Sequence, residues 1–214
     1  MKDLVIIGGG GFGREVKALV DEINEVTPEW NFLGYIDDNT DKGTAEGDAI
    51  LGDIEWFLSL ETKPWAIISI ANPPTREKIA NRCEGAGVQF ATLVHPTVRI
   101  KGSLCTIGEG SIICDGTVLA VNSHLGKHCI INMDCGIGHD TVLGDFVSIM
   151  SNSVIAGEVE IGKCCYFGLH NTVINQLKLA PYSTFGAGAV TVKDAVVSGT
   201  YVGVPAKCIK EYQK

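Results

Sequence analysis

The run IGEGSI ICDGTV LAVNSH LGKHCI INMDCG IGHDTV LGDFVS IMSNSV IAGEVE IGKCCY FGLHNT VINQLK LAPYST FGAGAV, Ile107 to Val190, decides the fold. It divides into fourteen hexads, and every one opens on a large apolar residue, from Ile107 to Phe185. The fifth position is mostly small, as at Ser111, Thr117, Cys129, Cys135, Ser153 and Ala189, and the second is Gly or Ala in most hexads. With about a third of residues large and apolar, so long a series does not arise by chance. A period of six fits neither the 3.6 of a helix nor the two of an alternating strand, so it describes a superstructure. The arrangement that satisfies it is a parallel β-helix in which each hexad is one short strand and a corner. Three hexads then make one triangular coil, with apolar side chains inward and coils stacked about 4.8 Å apart.

This pattern resembles the hexapeptide-repeat acyltransferases, and so do the closing segments Gly186–Val190 and Val202-Gly-Val-Pro-Ala-Lys207. The resemblance implies a left-handed coil, whereas the general crossover rule for parallel strands favours the right hand.

The hexads occupy the second half of the 214 residues, so two units are expected: 1–94, an α/β unit, and 95–214, the coil with its C-terminal tail. No secretory leader and no long unbroken apolar run is evident, so a cytoplasmic protein without membrane insertion is expected. Eight cysteines lack any CxxC spacing, and Cys129, Cys135 and Cys165 fall on the small hexad position; they read as reduced core residues. The net charge of −8 is uneven: residues 161–214 carry six lysines against Asp194 and Glu211, a net +4, which leaves −12 for residues 1–160. An acidic body argues against nucleic acid, while the basic end suits a phosphorylated small ligand.

At the N-terminus, a strand over Asp3–Ile7 runs into Gly8-Gly-Gly-Gly-Phe-Gly-Arg14, and an amphipathic helix follows to about Glu25. Gly8, Gly10 and Gly13 satisfy G-x-G-x-x-G between strand and helix, where glycines let a phosphate approach backbone N–H groups. A second strand, Phe32–Ile36, ends in Asp37 and Asp38, placed to reach a ribose hydroxyl. A third strand over Trp65–Ile70, a helix after Asn72-Pro-Pro74 and a fourth strand near Val88–Val94 complete one mononucleotide-binding half, where a dinucleotide such as NAD needs two.

Joined to the coil, this front end is similar over the whole chain to the sialic acid O-acetyltransferase and nucleotide-aminosugar N-acetyltransferase group, which includes the UDP-4-amino-sugar acetyltransferases. That resemblance implies a homotrimer that takes acetyl-CoA on the coil and a nucleotide sugar on the N-terminal unit. It puts Gly10, Gly11, Phe12, Asp37, Asp38, Ala71 and Asn72 at the nucleotide sugar, with Phe12 where relatives often carry His.

Acetyl transfer from a thioester needs a base, an N–H donor for the developing oxyanion and a slot for the pantetheine. His139, third in the hexad Ile137-Gly-His-Asp-Thr-Val142, sits near a corner beside Asp140, which can orient the imidazole and raise its basicity. The resemblance points to the same pair as base and acidic partner, usually Glu and here Asp. Gly157, at the same hexad position one full coil later, stacks above His139 and offers a backbone N–H. The resemblance further implies acetyl-CoA contacts at Leu169 and Ala187, a polar residue near the base at Asn132, and Ser148 where relatives often have a second His. His124, His128 and His170 join no such constellation, and His95 before Pro96 marks the junction of the units. No two histidines lie five or 36 apart, which argues against a γ-carbonic-anhydrase zinc site, and no metal is expected.

The reading is an acetyl-CoA-dependent N-acetyltransferase of a nucleotide-linked aminosugar. The alternatives are O-acetylation of a sialic-acid-type sugar, or a non-catalytic nucleotide-sensing scaffold.

Overall fold

Four consecutive apolar residues, Leu4–Ile7, are all buried, the pattern of a parallel strand covered on both faces. The computed structural model, which describes residues 1–39, 47 and 49–212, places them in β1, Lys2–Ile7. Then follow α1 (Gly11–Val26), β2 (Trp30–Ile36), β3 (Ile50–Gly52), α2 (Ile54–Ser59), β4 (Trp65–Ile68) and α3 (Pro73–Gly85). The strands are parallel in the order β3-β2-β1-β4, a Rossmann-like half. Helix α3 starts where Pro73 and Pro74 need no N–H partner, and the Asn72 side chain accepts from Thr75 N at 3.0 Å.

The expected fourth strand over Val88–Val94 does not form. Phe90 makes a single bridge to Ala66, whereas Leu93–Val94 pairs with Ile112–Ile113 as the first rung of the coil. The fourth strand of the sheet is β3, which is short and ends in Gly52, too brief for a period-two signal. The coil therefore starts inside the segment 1–94 that the sequence reading gave to the N-terminal unit.

The rest is a left-handed parallel β-helix of two-residue strands in three sheets. Each strand pairs with the one a full coil later, as in Ile131↔Ile149 and Ile137↔Ile155. The opening residues of the hexads from Ile113 to Phe185 are at most 3% exposed, and the fifth positions are buried too. Each such Leu, Ile or Phe contributes about 1.5–3 kcal/mol by leaving water. A residue in the left-handed region closes each corner at the fourth hexad position; eleven of them, from Asn122 to Tyr182, are not glycine. The first coil holds one extra residue, since Leu119 pairs with Ile100 but Leu125 with Ile107. That slip puts the first rungs out of phase with the hexads, which is why the repeat surfaces only at Ile107. After Phe185 the spacing shortens to Tyr201, and the strands Gly199–Val202 and Lys207–Glu211 form an antiparallel cap.

The three faces differ in what covers them. One, running from Leu93–Val94 to Thr184–Phe185, is docked against the N-terminal unit through the buried pair Ile112 and Ile130 and through Arg76. A second, from Arg99–Ile100 to Val190–Thr191, presents Val118, Val154 and Val190 outward, edged by the exposed Val121, Leu169 and Ile174. The third, from Thr106–Ile107 to Lys178–Leu179, presents His124, Glu160 and Lys178.

Arg76 joins the two units. Its guanidinium is fully buried and donates to the carbonyls of Ile70 (2.5 Å), Ala71 (3.1 Å), His128 (2.9 Å) and Phe146 (2.8 Å), and to the Ser148 hydroxyl (2.9 Å). Burial lowers its pKa to about 10, so it remains charged at neutral pH. All eight cysteines are free thiols, and burial pushes those of Cys129 and Cys165 up to about 12. Among the described residues no helix is long and apolar enough to cross a membrane.

Candidate active site

The corner between the apolar and polar faces carries the dyad. Asp140 takes the left-handed φ of 56° that ends the hexad corner, and this turns its carboxylate back along the chain. Oδ2 accepts from His139 Nδ1 at 2.8 Å, so neutral His139 carries its proton on Nδ1 and leaves the Nε2 lone pair free. Oδ1 accepts from Asn122 Nδ2 at 2.6 Å. These two donors, Asn122 first and His139 second, hold the Asp140 carboxyl below its ordinary value, so it stays ionised. Both side chains are about half exposed. A group that is to exchange a proton with an incoming molecule needs that access.

The imidazole lies across Gly157, one coil on. A Cβ built there would fall 2.5 Å from His139 Nε2, which only a glycine avoids. The Gly157 N–H donates to no acceptor among the described residues, while its carbonyl accepts from Gln176 N at 3.0 Å. One corner thus sets a free imidazole nitrogen beside an unpaired backbone donor, the two groups that acyl transfer requires.

A second constellation lies at the C-terminal ends of β1, β2 and β4. Gly8 turns with φ 108°, and Gly13 packs so tightly that a Cβ would meet the Gly8 oxygen at 2.1 Å. Helix α1 opens at Gly10 without a side-chain cap or an acidic residue in its first turn, leaving its N–H groups available to an anion. Asp37 braces this turn by accepting from Gly9 N at 2.8 Å, and Asp38 accepts from Ile54 N at 3.2 Å. Both carboxylates line a cleft with Gly8, Ile70, Thr75 and Arg82. Gly11 is exposed, and Phe12 packs half-buried on the core between sheet and coil.

The remaining residues singled out in the sequence fall elsewhere. Ser148 is fully buried on the docked face, bonding Arg76 and donating to Ala71 O at 2.8 Å, next to Asn72. Asn132, Leu169 and Ala187 lie on the corner between the docked and apolar faces, Leu169 and Ala187 one coil apart, with Leu169 exposed. Within one chain the width of the apolar face separates them from His139, and the N-terminal cleft sits on the face opposite the dyad. The sequence reading set His124 aside, yet its Nε2 lies 3.1 Å from Asn122 Oδ1, which ties it to the dyad. The signal was present as spacing, because Asn122 holds the same hexad position as Asp140 one coil earlier and stands next but one to His124. Arg76 had no sequence signal at all.

Residues 3–83 match the PglD N-terminal domain family. Over 164 residues the chain is 26% identical to the GDP-perosamine N-acetyltransferase of Escherichia coli O157:H7, covering 76% of this chain and 74% of that protein. The solved acetyltransferase domain of PglB from Neisseria gonorrhoeae FA1090, in complex with acetyl coenzyme A, matches with a TM-score of 0.87 at 26% identity, over 97% of this chain and 99% of that one. PerB from Caulobacter crescentus, in complex with CoA and GDP-perosamine, matches with a TM-score of 0.86 at 25% identity, over 97% of each chain. The likeness to these structures spans both units and not the coil alone.

Proposed function

We propose that this chain, a hexapeptide-repeat left-handed β-helix acetyltransferase with an N-terminal unit of the PglD type, moves an acetyl group from acetyl-CoA to the amino group of a nucleotide-linked aminosugar. The observation that carries the catalytic reading is the His139–Asp140 hydrogen bond of 2.8 Å with the imidazole laid over Gly157. His139 Nε2 takes the proton from the amine as its nitrogen bonds to the thioester carbonyl carbon. Asp140 stabilises the imidazolium that results, and the Gly157 N–H receives the charge that builds on the carbonyl oxygen. Collapse re-forms the carbonyl and expels the coenzyme A thiolate, which takes the proton from the His139 imidazolium as the amide is released and so restores the neutral base. No covalent bond to the protein is needed.

The nucleotide is assigned to the cleft at Gly8–Asp38 and Ala71–Asn72, where glycine N–H groups and the start of α1 suit its phosphates. The chemistry sits at the opposite corner, so a complete site needs a second copy. We infer a homotrimer packed through the apolar face, whose outward Val118, Val154 and Val190 otherwise stay in water. Packing there brings the corner bearing His139 of one copy towards the corner bearing Asn132, Leu169 and Ala187 of the next, and towards the Ser148–Ala71 junction. Acetyl-CoA and nucleotide sugars are charged and do not cross bilayers unaided, and on that ground the reaction is assigned to the cytoplasm.

Coenzyme A release, followed against UDP-, GDP- and dTDP-linked aminosugars and against free sialic acid, tests the proposal. Turnover is expected with one or more of the aminosugars. Turnover with sialic acid alone would move the acceptor to a hydroxyl, and release with none of them would leave only a scaffold.

A further inference from the structure

We propose that Asn122 and His124 are positioning residues for the His139–Asp140 pair, the middle links of a directed hydrogen-bond chain anchored at Thr106. This rests on the reading of His139 as the base. The chain has four links: Thr106 Oγ1 to His124 Nδ1 at 2.9 Å, His124 Nε2 to Asn122 Oδ1 at 3.1 Å, Asn122 Nδ2 to Asp140 Oδ1 at 2.6 Å, and Asp140 Oδ2 to His139 Nδ1 at 2.8 Å.

Chemistry fixes the direction of every link. An ionised Asp140 only accepts, so Asn122 must present its NH₂ and keep its carbonyl oxygen for His124. His124 therefore donates from Nε2 and, when neutral, accepts the Thr106 hydroxyl at Nδ1. The coil supplies the spacing: Thr106 stacks under His124 on one face and Asn122 under Asp140 at the next corner, the members of each pair one coil apart. Asn122 sits at φ 57°, a left-handed position that asparagine adopts more readily than most residues, so its amide is held in place by the backbone as well.

The consequence lies in the tautomer. Asp140 has to stay against Nδ1 for the free lone pair to be on Nε2, at the end of the ring that lies over Gly157, and Asn122 restrains Asp140 from the far side. The titratable groups around the pair are His124 below and Glu158 above, the latter accepting from Gln176 Nε2 at 3.3 Å, with the Lys178–Glu160 pair further along the polar face. Glu158 is thus engaged elsewhere, and no other described residue hydrogen-bonds the Asp140 carboxylate.

The test uses Asn122→Gly, which keeps the backbone conformation, and Asn122→Asp, which is isosteric but cannot donate to Asp140 when ionised. Nitrogen-15 NMR of labelled histidines reads the His139 tautomer, and kcat/KM reads its cost to turnover. Wild type is expected to show neutral His139 protonated at Nδ1. Both variants should fold, shift His139 towards the Nε2-protonated form and lose about 10-fold in kcat/KM. In an Asp140→Asn background, Asn122→Gly should cost less than about twofold more, since the two act as one unit. An unchanged tautomer, or the same fold-loss in both backgrounds, overturns the proposal. His139→Ala with full activity would instead remove the base reading, while the tautomer measurement would still judge the chain of bonds.

Discussion

Gly157→Ala isolates the geometry of the base from its chemistry. The added methyl would lie 2.5 Å from His139 Nε2, 2.6 Å from Cε1 and 2.8 Å from Cδ2. Ordinary carbon contacts need about 3.5 Å, so the ring must retreat by about 1 Å. It has room to do so, because the His139 side chain is 54% exposed, but it must turn about its 2.8 Å bond to Asp140. Gly157 is not among the residues with a left-handed φ, so alanine fits its backbone, and the N–H assigned to the oxyanion is kept. A misplacement of that size in a reacting group costs on the order of 10²-fold in kcat. Stability should change by less than about 1 kcal/mol, with the entropic advantage of alanine over glycine opposing the strain. The assay is coenzyme A release under saturating acetyl-CoA, with a urea melt in parallel. Wild-type kcat in Gly157→Ala would refute the reasoning, and so would a variant that does not fold.

His139→Ala should lose about 10²- to 10⁴-fold in kcat in the same assay while its melt stays near wild type, the side chain being half exposed. Arg76→Met strands the carbonyls of Ile70, Ala71, His128 and Phe146 between the units, for a loss of about 3–5 kcal/mol by urea denaturation. His128 is buried between Phe90 and Phe146, and burial first, then the Arg76 charge, pushes its pKa down to about 4. Unfolded, it binds a proton near pH 6.5, so stability holds above that value, falls as pH drops from 6.5 to 4 and levels off about 3 kcal/mol lower. His128→Asn, which tolerates the φ of 54°, should flatten that part of a stability–pH curve. A UDP-, GDP- or dTDP-sugar should raise the melting temperature by binding the folded state, whereas a shift with NAD alone would contradict the nucleotide assignment.

The coil was legible because its signal is strictly periodic: one apolar residue per hexad must point inward, and Ile113 to Phe185 obey without exception. Its first rungs were hidden by a single extra residue before Ile107, which breaks phase without breaking the stack. The same period placed His139 one coil below Gly157. The strand Ile50–Gly52 stayed hidden because its identity comes from pairing with β2 and not from its own pattern. Polar links were the least visible. Asn122 and His124 are near neighbours in sequence that only the stacking of coils joins to Asp140, and Arg76 reads as an ordinary charge in an amphipathic helix until the docking of two units encloses it.

The most direct measurement is the structure of the product formed from acetyl-CoA and a nucleotide-linked aminosugar, by mass spectrometry and NMR, with wild type and His139→Ala side by side. An amide at the sugar nitrogen, formed by wild type and all but lost in the variant, is the predicted result. An ester in its place, or an amide formed equally fast without His139, would contradict it.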